Sequence, residues 1–319
     1  MHVLLVKTSS LGDVVHNLPM VTDMAAMRPD IVIDWLVEPS FADIPAMHPA
    51  IRSVIPADIR RWLRAPWDRE TWRGVRGLRA RLGEARYDLI LDTQGLVKSA
   101  LIARLARGPL YGPDRRSARE PLAAAFYTHG LAMNWDRHAV WRNRMLGAGA
   151  LGYGLPETAP DYGLAMPPAG DTGKPVCVAF HATSRASKLW PPGHWVTLGK
   201  ALCQRGFRIL LPSGNAREQA AALEIATAIG DGAQALPRTG IRELAGVIAG
   251  ARMTVGVDTG LLHLAVALGR PTVGIFRDSD PAQTGVLARD AIDLGGFRSC
   301  PTADEVLAAL ARLGLGEAA

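Results

Sequence analysis

The chain has 319 residues, 48% of them hydrophobic and 21% charged, with a net charge of +6. This balance excludes a wholly disordered chain, and no apolar run approaches the ~20 residues that cross a bilayer. Cys177, Cys203 and Cys300 are scattered and show neither a zinc-ligand spacing nor a disulfide framework. At ~150 residues per domain the length predicts two domains. We expect a cytoplasmic protein, because the N-terminal segment is too short for a signal sequence.

Short β-rich runs alternate with helix-length segments in the first half of the chain. Strands are predicted at Val3–Val6, Ile31–Val37, Ser53–Ile55 and Leu89–Leu91. Helices are predicted near Asp13–Met27, Trp67–Glu84 and Val97–Ala106. This alternation is typical of a parallel sheet covered by helices, so residues 1–155 are predicted to form a doubly wound domain.

Arginines are concentrated between residues 52 and 86. Those from Arg73 to Arg86 fit the solvated face of the predicted helix. Arg60, Arg61 and Arg64 precede that helix, near a predicted strand end, and are better candidates for binding anions. Three tryptophans of this stretch could help association with a membrane, but core packing is the favoured interpretation: Trp62, Trp67 and Trp72.

Proline and glycine are dense between Gly152 and Pro175, which predicts a linker at residues 156–175. The strand and helix pattern then restarts, so residues 176–300 are predicted to form a second doubly wound domain. Its strands are predicted at Val176–Phe180, Arg208–Leu211, Met253–Val257 and Thr272–Ile275, and its helices near Gly193–Gln204, Arg217–Ile229, Ile241–Ala249 and Leu261–Ala267. In the segment 301–319, a helix near Ala303–Leu313 is a candidate to pack back against the first domain. Two such domains are expected to face each other across a cleft, with ligands outside the carboxyl ends of the strands.

The first strand ends in a turn of small and hydroxyl residues, from Lys7 to Asp13, that leads into a helix. Such a turn can hold an anion or present a carboxylate to a ligand. It matches neither the GxGxxG dinucleotide fingerprint nor the P-loop. Asp13 fits two roles at this point, a helix-capping acid or a catalytic residue.

Three loops of the second half carry candidate nucleotide-binding residues. After Val176–Phe180, Thr183, Ser184 and Lys188 offer hydroxyl donors and a positive charge for a diphosphate, although a plain Ser/Thr-rich loop is the alternative. The strongest signal follows the strand ending at Val257, where an acid and a small turn start an apolar helix: Asp258, Thr259, Gly260 and His263. His263 lies about one helical turn beyond Thr259 and either faces the same ligand or packs in the core. Glu218 fits two roles: its carboxylate either accepts hydrogen bonds from ribose hydroxyls or is an acid at a helix N-terminus.

Taken together, these motifs resemble the ADP-heptose:lipopolysaccharide heptosyltransferases of glycosyltransferase family 9. The resemblance runs over nearly the whole chain. It is carried by segments in the same order: Val6–Val14, Asp34–Glu38, Ile59–Trp62, Gln94–Ala100, Ala118–Ala123, His181–Ser184, Lys188–Pro191 and Val257–Leu264.

The resemblance implies a GT-B fold of two Rossmann-like domains, an inverting transfer with Asp13 as general base, and no metal or other cofactor. It implies ADP-L-glycero-D-manno-heptose as donor, held by Thr183, Ser184, Lys188, Glu218, Asp258, Thr259, Gly260 and His263. The acceptor it implies is the 3-deoxy-manno-octulosonic acid (Kdo) region of lipid A, whose anionic groups would be bound by Ser10, Gly12, Arg60, Arg61, Arg64 and Arg119. A lipid-linked acceptor further implies peripheral association with the anionic cytoplasmic face of the inner membrane; no nucleic acid is expected.

Departures from the family pattern and rival functions remain. Arg277 and Asp278 stand where the family usually has Gly and Pro, so the resemblance does not define the turn geometry there. Asp278-Ser279-Asp280 imitates the metal-binding DxD motif. Three functions stay open besides transfer of the first heptose: transfer of the second heptose, a nucleotide-sugar epimerase, and a non-catalytic sugar-nucleotide binding protein.

Overall fold

The computed structural model describes residues 1–165 and 173–315. The chain divides into two compact units, Met1–Leu164 and Ala165–Ala319. The division falls inside the predicted linker 156–175, of which residues 166–172 lie outside the described residues, as do 316–319 at the end of the predicted C-terminal segment.

The first unit is a parallel sheet of six strands covered by helices. Its strands are β1 (His2–Val6), β2 (Val32–Val37), β3 (Ile51–Pro56), β4 (Leu89–Asp92), β5 (Leu110–Pro113) and β6 (His129–Leu131). Its helices are α1 (Leu11–Val15), α2 (Leu18–Met27), α3 (Ile59–Arg64), α4 (Arg69–Gly83), α5 (Val97–Ala103) and α6 (Ala139–Leu151). The single helix predicted over Asp13–Met27 is two helices. Pro19 lies in the first turn of α2, where its missing N–H costs nothing but where it cannot continue α1.

The second unit repeats this construction. Its strands are β7 (Val176–Phe180), β8 (Arg208–Leu211), β9 (Ala233–Ala235), β10 (Met253–Val257), β11 (Thr272–Phe276) and β12 (Ala291–Gly295). Its helices are α7 (Pro192–Gln204), α8 (Ala216–Ile229), α9 (Ile241–Ala249), α10 (Gly260–Ala267), α11 (Pro281–Thr284) and α12 (Ala303–Arg312).

Both sheets have the same strand order. In the first it is β3-β2-β1-β4-β5-β6, and in the second β12-β11-β10-β7-β8-β9, which is the same order read from the other edge. The order reverses between the first and the fourth strand of each unit. In doubly wound sheets ligands bind at that reversal, outside the carboxyl ends of the strands. The loops that follow β1, β4, β7 and β10 are therefore where the topology places a site.

The helix α12 packs into the core of the second unit, with Val306, Ala309 and Leu310 fully buried there. One expectation about packing is wrong. Trp67 and Trp72 are 91% and 52% exposed and so are not core residues, whereas Trp62 does pack against the first core.

The arginines from Arg73 to Arg86 are exposed, as the solvated-face interpretation of this helix predicts. Over residues 1–165 and 173–315, no helix combines the length and the apolar character needed to span a bilayer.

Candidate active site

Asp13 lies in the first turn of α1, directly after the loop that ends β1. Its Oδ2 atom accepts hydrogen bonds from the backbone N–H of Ser10 at 3.1 Å and from the Ser10 hydroxyl at 3.0 Å. Its Oδ1 atom accepts from Arg119 Nη2 at 3.1 Å. Asp13 thus caps the helix and also forms an ion pair, so one carboxylate combines a capping role with a position in a charged site.

Lys7 supplies a second positive charge beside Asp13. Its amine is buried and donates to the Thr93 carbonyl at 3.1 Å. Burial lowers the pKa of Lys7 to about 8, although the nearby Asp13 charge acts in the opposite direction. Burial alone would raise the pKa of Asp13, but the Lys7 and Arg119 charges and the Ser10 N–H hold it well below its usual range. Asp13 is therefore ionised at neutral pH.

A frame of buried polar residues after β4 supports the β1 loop. The side-chain oxygen of Gln94 accepts from the backbone N–H groups of Thr8 at 3.2 Å and Ser9 at 3.4 Å. Asp92 accepts from the Gln94 N–H at 2.8 Å and, through its other oxygen, from the hydroxyls of Ser99 at 2.8 Å and Tyr127 at 2.9 Å. Burial raises the pKa of Asp92. These hydrogen bonds fix the loop that presents Asp13.

The hollow in front of Asp13 is lined by cationic and polar side chains. Arg142 joins Lys7 and Arg119 there, and its guanidinium lies 4.3 Å from the ring centroid of Trp135. Three cations around one carboxylate leave a net positive site, which fits an anionic ligand. The sequence analysis missed Lys7, Asp92, Gln94 and Arg142 as site residues. The acid at the end of β4, followed by the turn at Gly95, was the available signal for the β4 loop.

The other predicted acceptor-binding residues are placed differently. Gly12 lies within α1, and its carbonyl accepts from the His16 N–H at 2.9 Å. The arginines 60, 61 and 64 lie on α3, after the edge strand β3 and two strands away from β1. Arg61 forms an ion pair with Glu70, and the guanidinium of Arg60 lies 5.5 Å from the Phe41 ring centroid. Of the predicted acceptor arginines, Arg119 is the one that meets Asp13.

In the second unit, Asp258 at the end of β10 connects several predicted residues. Its Oδ2 atom accepts from Lys188 Nζ at 2.5 Å and from the Ser279 hydroxyl at 2.6 Å. Its Oδ1 atom lies 3.8 Å from His263 Nε2. Burial would raise the pKa of Asp258, but these neighbours hold it well below its usual range. Lys188 and His263 therefore lie on the same side of this unit.

The α10 start offers an anion site beside this carboxylate. Thr259 is the residue before the helix, Gly260 is the first helical residue, and both are partly exposed. The Thr259 side chain makes no capping hydrogen bond. Backbone N–H groups at a helix start, together with the positive end of its dipole, favour a phosphate. The Thr183 hydroxyl donates to the Asp258 carbonyl at 2.9 Å, which ties the β7 loop to this helix start.

A pocket of about 320 Å³ lies next to this loop pair, between the β7 loop and the start of α8. Its lining includes Thr183, Ser184, Trp190 and Glu218. The Glu218 carboxylate accepts from the Gly214 N–H at 2.7 Å and from the Asn215 amide at 2.6 Å. Glu218 is thus a helix N-terminal acid that also lines the pocket, so the two alternatives for this residue are compatible.

The loop after β11 contacts Asp258 and the β7 loop. Ser279 bonds Asp258, Asp278 accepts from the Ser187 hydroxyl at 2.6 Å, and Asp280 caps α11 by accepting from the Ala282 N–H at 2.9 Å. Arg277 donates to the Leu189 carbonyl. The two acids of the DxD-like segment are thus engaged as hydrogen-bond acceptors. No group of three or more His, Cys, Asp or Glu within residues 1–165 and 173–315 is arranged to hold a metal.

Two doubly wound units, one with a carboxylate among cations and one with a phosphate-type helix start, are the construction of the GT-B fold class. Residues 75–306 match the model of glycosyltransferase family 9 (heptosyltransferase), and the chain belongs to this family. It is 46% identical over 303 residues to lipopolysaccharide heptosyltransferase 1 of Pseudomonas aeruginosa, covering 94% of this chain and 85% of that protein.

Solved structures agree with this assignment. The structure of Escherichia coli heptosyltransferase WaaC with ADP is similar with a TM-score of 0.92 at 38% identity, covering 98% of this chain and all of the other. The same enzyme with ADP-2-deoxy-2-fluoro heptose gives a TM-score of 0.88 at 38% identity, covering 98% and 99%. The predicted fold class and family are confirmed.

Proposed function

We propose that this protein transfers L-glycero-D-manno-heptose from ADP-heptose to the Kdo region of lipid A, with inversion at the anomeric carbon. The observation that carries the proposal is the ionised Asp13 among Lys7, Arg119 and Arg142 at the β1/β4 reversal. A base among cations suits an acceptor that brings its own negative charges. The donor assignment is supported by the similarity to WaaC, which was solved with ADP and with a fluorinated ADP-heptose.

In this mechanism the acceptor hydroxyl attacks the anomeric carbon in one step. The bond from that carbon to the ADP oxygen breaks, and the hydroxyl proton passes to Asp13. The low pKa of Asp13 makes it a weak base in the free protein. When an acceptor carboxylate or phosphate binds Arg119 and Lys7, it neutralises the charges that depress this pKa, so acceptor binding strengthens the base. Ser10 holds the carboxylate in place.

The second unit stabilises the departing ADP. In this proposal its diphosphate binds at the start of α10, near Thr259 and Gly260, with Lys188 and the Ser184 hydroxyl as further donors. Thr183 fixes the β7 loop beside it through the Asp258 carbonyl. The ribose lies toward Glu218 in the pocket beside the β7 loop. Asp258 orients Lys188 and His263. We propose that these donors stabilise the charge on the leaving diphosphate and that the reaction needs no metal.

The acceptor side extends from Asp13 to the arginines of α3. Arg60, Arg61 and Arg64 are exposed, close in sequence and suited to phosphates or carboxylates farther along a large acceptor. Because Kdo-lipid A is anchored in the inner membrane, we place the protein at the cytoplasmic face of that membrane as a peripheral enzyme. No role with nucleic acid is assigned.

The test is incubation of the purified protein with ADP-heptose and Kdo-lipid A, with ADP release followed with and without acceptor. We expect ADP release only with acceptor, unchanged by EDTA, and a product of inverted anomeric configuration by NMR. Donor turnover without acceptor would indicate an epimerase, and binding without turnover a sugar-nucleotide binding protein. Reaction only with an acceptor that already carries one heptose would indicate transfer of the second heptose.

A further inference from the structure

An exposed surface on the first unit combines tryptophans with arginines. It consists of Leu63 on α3, Trp67 in the α3–α4 connection, and Trp72, Arg69, Arg73, Arg76 and Arg79 on α4; we call it the α3–α4 surface. Leu63, Trp67 and Trp72 are 61%, 91% and 52% exposed, and Trp67 is the most exposed large hydrophobic side chain among the described residues. These three exposed side chains lie within ten residues of the sequence, and exposed large apolar side chains that cluster mark interaction sites.

The geometry of α4 puts the cations on one side with Trp72. Thr71, Leu78 and Leu82 are its buried residues. Trp72, Arg76 and Arg79 follow at spacings of four and three residues and therefore lie on a common solvent-facing side.

The acids of the same stretch are engaged elsewhere. Glu70 pairs with Arg61, and Asp68 caps α4 by accepting from the Glu70 N–H at 3.0 Å. The solvent-facing side of α4 with Trp72 therefore carries positive charge unopposed by these acids.

The connection between the two helices is held in place. The Thr71 hydroxyl donates to the Ala65 carbonyl at 2.8 Å. The Trp62 indole packs so closely on Gly74 that a Cβ added there would lie 2.9 Å from its Nε1 atom. Trp67 is therefore displayed at the tip of a packed turn.

The net positive charge of residues 58–86, which contain α3 and α4, indicates a negatively charged partner. Residues 58–86 hold nine arginines and four acidic residues, a net charge of +5 in a chain of +6. Tryptophan concentrates at the boundary between lipid and water, and each Lys or Arg near an anionic membrane contributes about 1 kcal/mol. We propose that the α3–α4 surface docks on an anionic lipid bilayer, with Trp67 and Trp72 inserted at the interface and the arginines on lipid phosphates. This inference rests on the proposed function in that the acceptor is lipid-linked.

The test uses the full chain and lipid vesicles without donor or acceptor. Wild type should cosediment with vesicles containing phosphatidylglycerol and not with pure phosphatidylcholine. Trp67→Ala with Trp72→Ala should weaken binding roughly tenfold or more. Arg73→Gln with Arg76→Gln should weaken it by a similar factor and reduce its salt dependence. Phe297→Ala removes an aromatic side chain that is 68% exposed in the second unit and should change nothing.

Three outcomes would contradict the proposal that the α3–α4 surface docks on a membrane. The first is wild-type protein that does not cosediment with anionic vesicles. The second is a Trp67→Ala, Trp72→Ala double variant that binds the vesicles as tightly as wild type does and has an unchanged melting curve. A third is concentration-dependent self-association abolished by the tryptophan changes, which would make the patch a contact between copies. The tryptophan variant should also transfer heptose to a deacylated, soluble Kdo acceptor at the wild-type rate. If wild type transfers heptose to no acceptor, the proposed function fails while the vesicle result still stands or falls by itself.

Discussion

The same dipeptide stands at the carboxyl end of the fourth strand in each unit, Asp92-Thr93 at β4 and Asp258-Thr259 at β10, yet the two aspartates have opposite environments. Asp92 is fully buried among hydroxyl and N–H donors, and burial raises its pKa. Asp258 pairs with Lys188, and its pKa is held well below the usual range. The same motif at the same topological point is therefore a structural frame in one unit and a charge centre in the other.

The difference originates in the first-strand loops, each of which contributes one lysine. Lys7 donates to the Thr93 carbonyl and not to Asp92, and the Asp13 charge raises the pKa of Lys7 more than the Asp92 charge does. Lys188 instead bonds Asp258 directly. A strand-end motif thus acquires its chemistry from the loop of the neighbouring strand, which is the part that sequence position alone does not specify.

The largest expected effect separates the two units by their roles. Asp13→Asn keeps the size of the side chain and one oxygen that accepts from either Ser10 or Arg119, but it removes the proton acceptor, so turnover should fall roughly 10²- to 10⁴-fold. ADP affinity, measured by calorimetry, should not change, because Asp13 belongs to the first unit. Turnover near the wild-type value would rule out Asp13 as the base, and equal losses in turnover and ADP affinity would indicate a folding defect.

The next largest effect is expected in the second unit, where a substitution should lower ADP affinity. Lys188→Met removes a charge-assisted donor to the diphosphate and should weaken ADP binding roughly 10- to 100-fold. The matched control is Lys7→Met, the lysine of the other first-strand loop, which should lower turnover and leave ADP affinity unchanged. If both lysine variants reduce ADP affinity alike, the division of roles between the two reversals is wrong.

The sequence predicted the buried apolar strands best. Predicted β7, β8 and β10 match the observed bounds because each is a buried run with a clear end. The strands β5, β6, β9 and β12 were missed. β6, β9 and β12 lie at sheet edges and are at least partly exposed, and β5 has only four residues that end in Gly112-Pro113, so neither alternation nor a continuous apolar run marks them.

The candidate site was predicted where a motif stands at one strand end, and missed where its parts come from distant segments. Gln94 and Thr8 are 86 residues apart in sequence, yet they share a hydrogen bond. The exposure of Trp67 was also not predictable from composition, because a tryptophan beside a helix start normally packs. Here Trp62 already fills the space over Gly74.

The smallest expected effect is a difference between Asp92 and Asp258 in how each changes the free energy of unfolding with pH. The folded-state pKa of Asp258 is below its unfolded value, so its ion pair contributes stability above about pH 4 that is lost on further acidification. The folded-state pKa of Asp92 is raised, so its ionised form costs stability at neutral pH, and this cost disappears as the pH falls toward about 4. Urea unfolding of wild type, Asp92→Asn and Asp258→Asn across this pH range measures what each ionised aspartate contributes to the free energy of unfolding.

The stability gap between wild type and Asp92→Asn should shift in favour of wild type as the pH falls from 7 to about 4. The gap between wild type and Asp258→Asn should stay level over that range, at about 1–3 kcal/mol in favour of wild type, and shrink only below it. The asparagine at 92 still accepts from the Gln94 N–H, so the pH trend, rather than the absolute stability, reports the charge. Parallel trends in the two variants would mean that both aspartates have the same electrostatic environment, contrary to the contacts of Lys188 and Lys7.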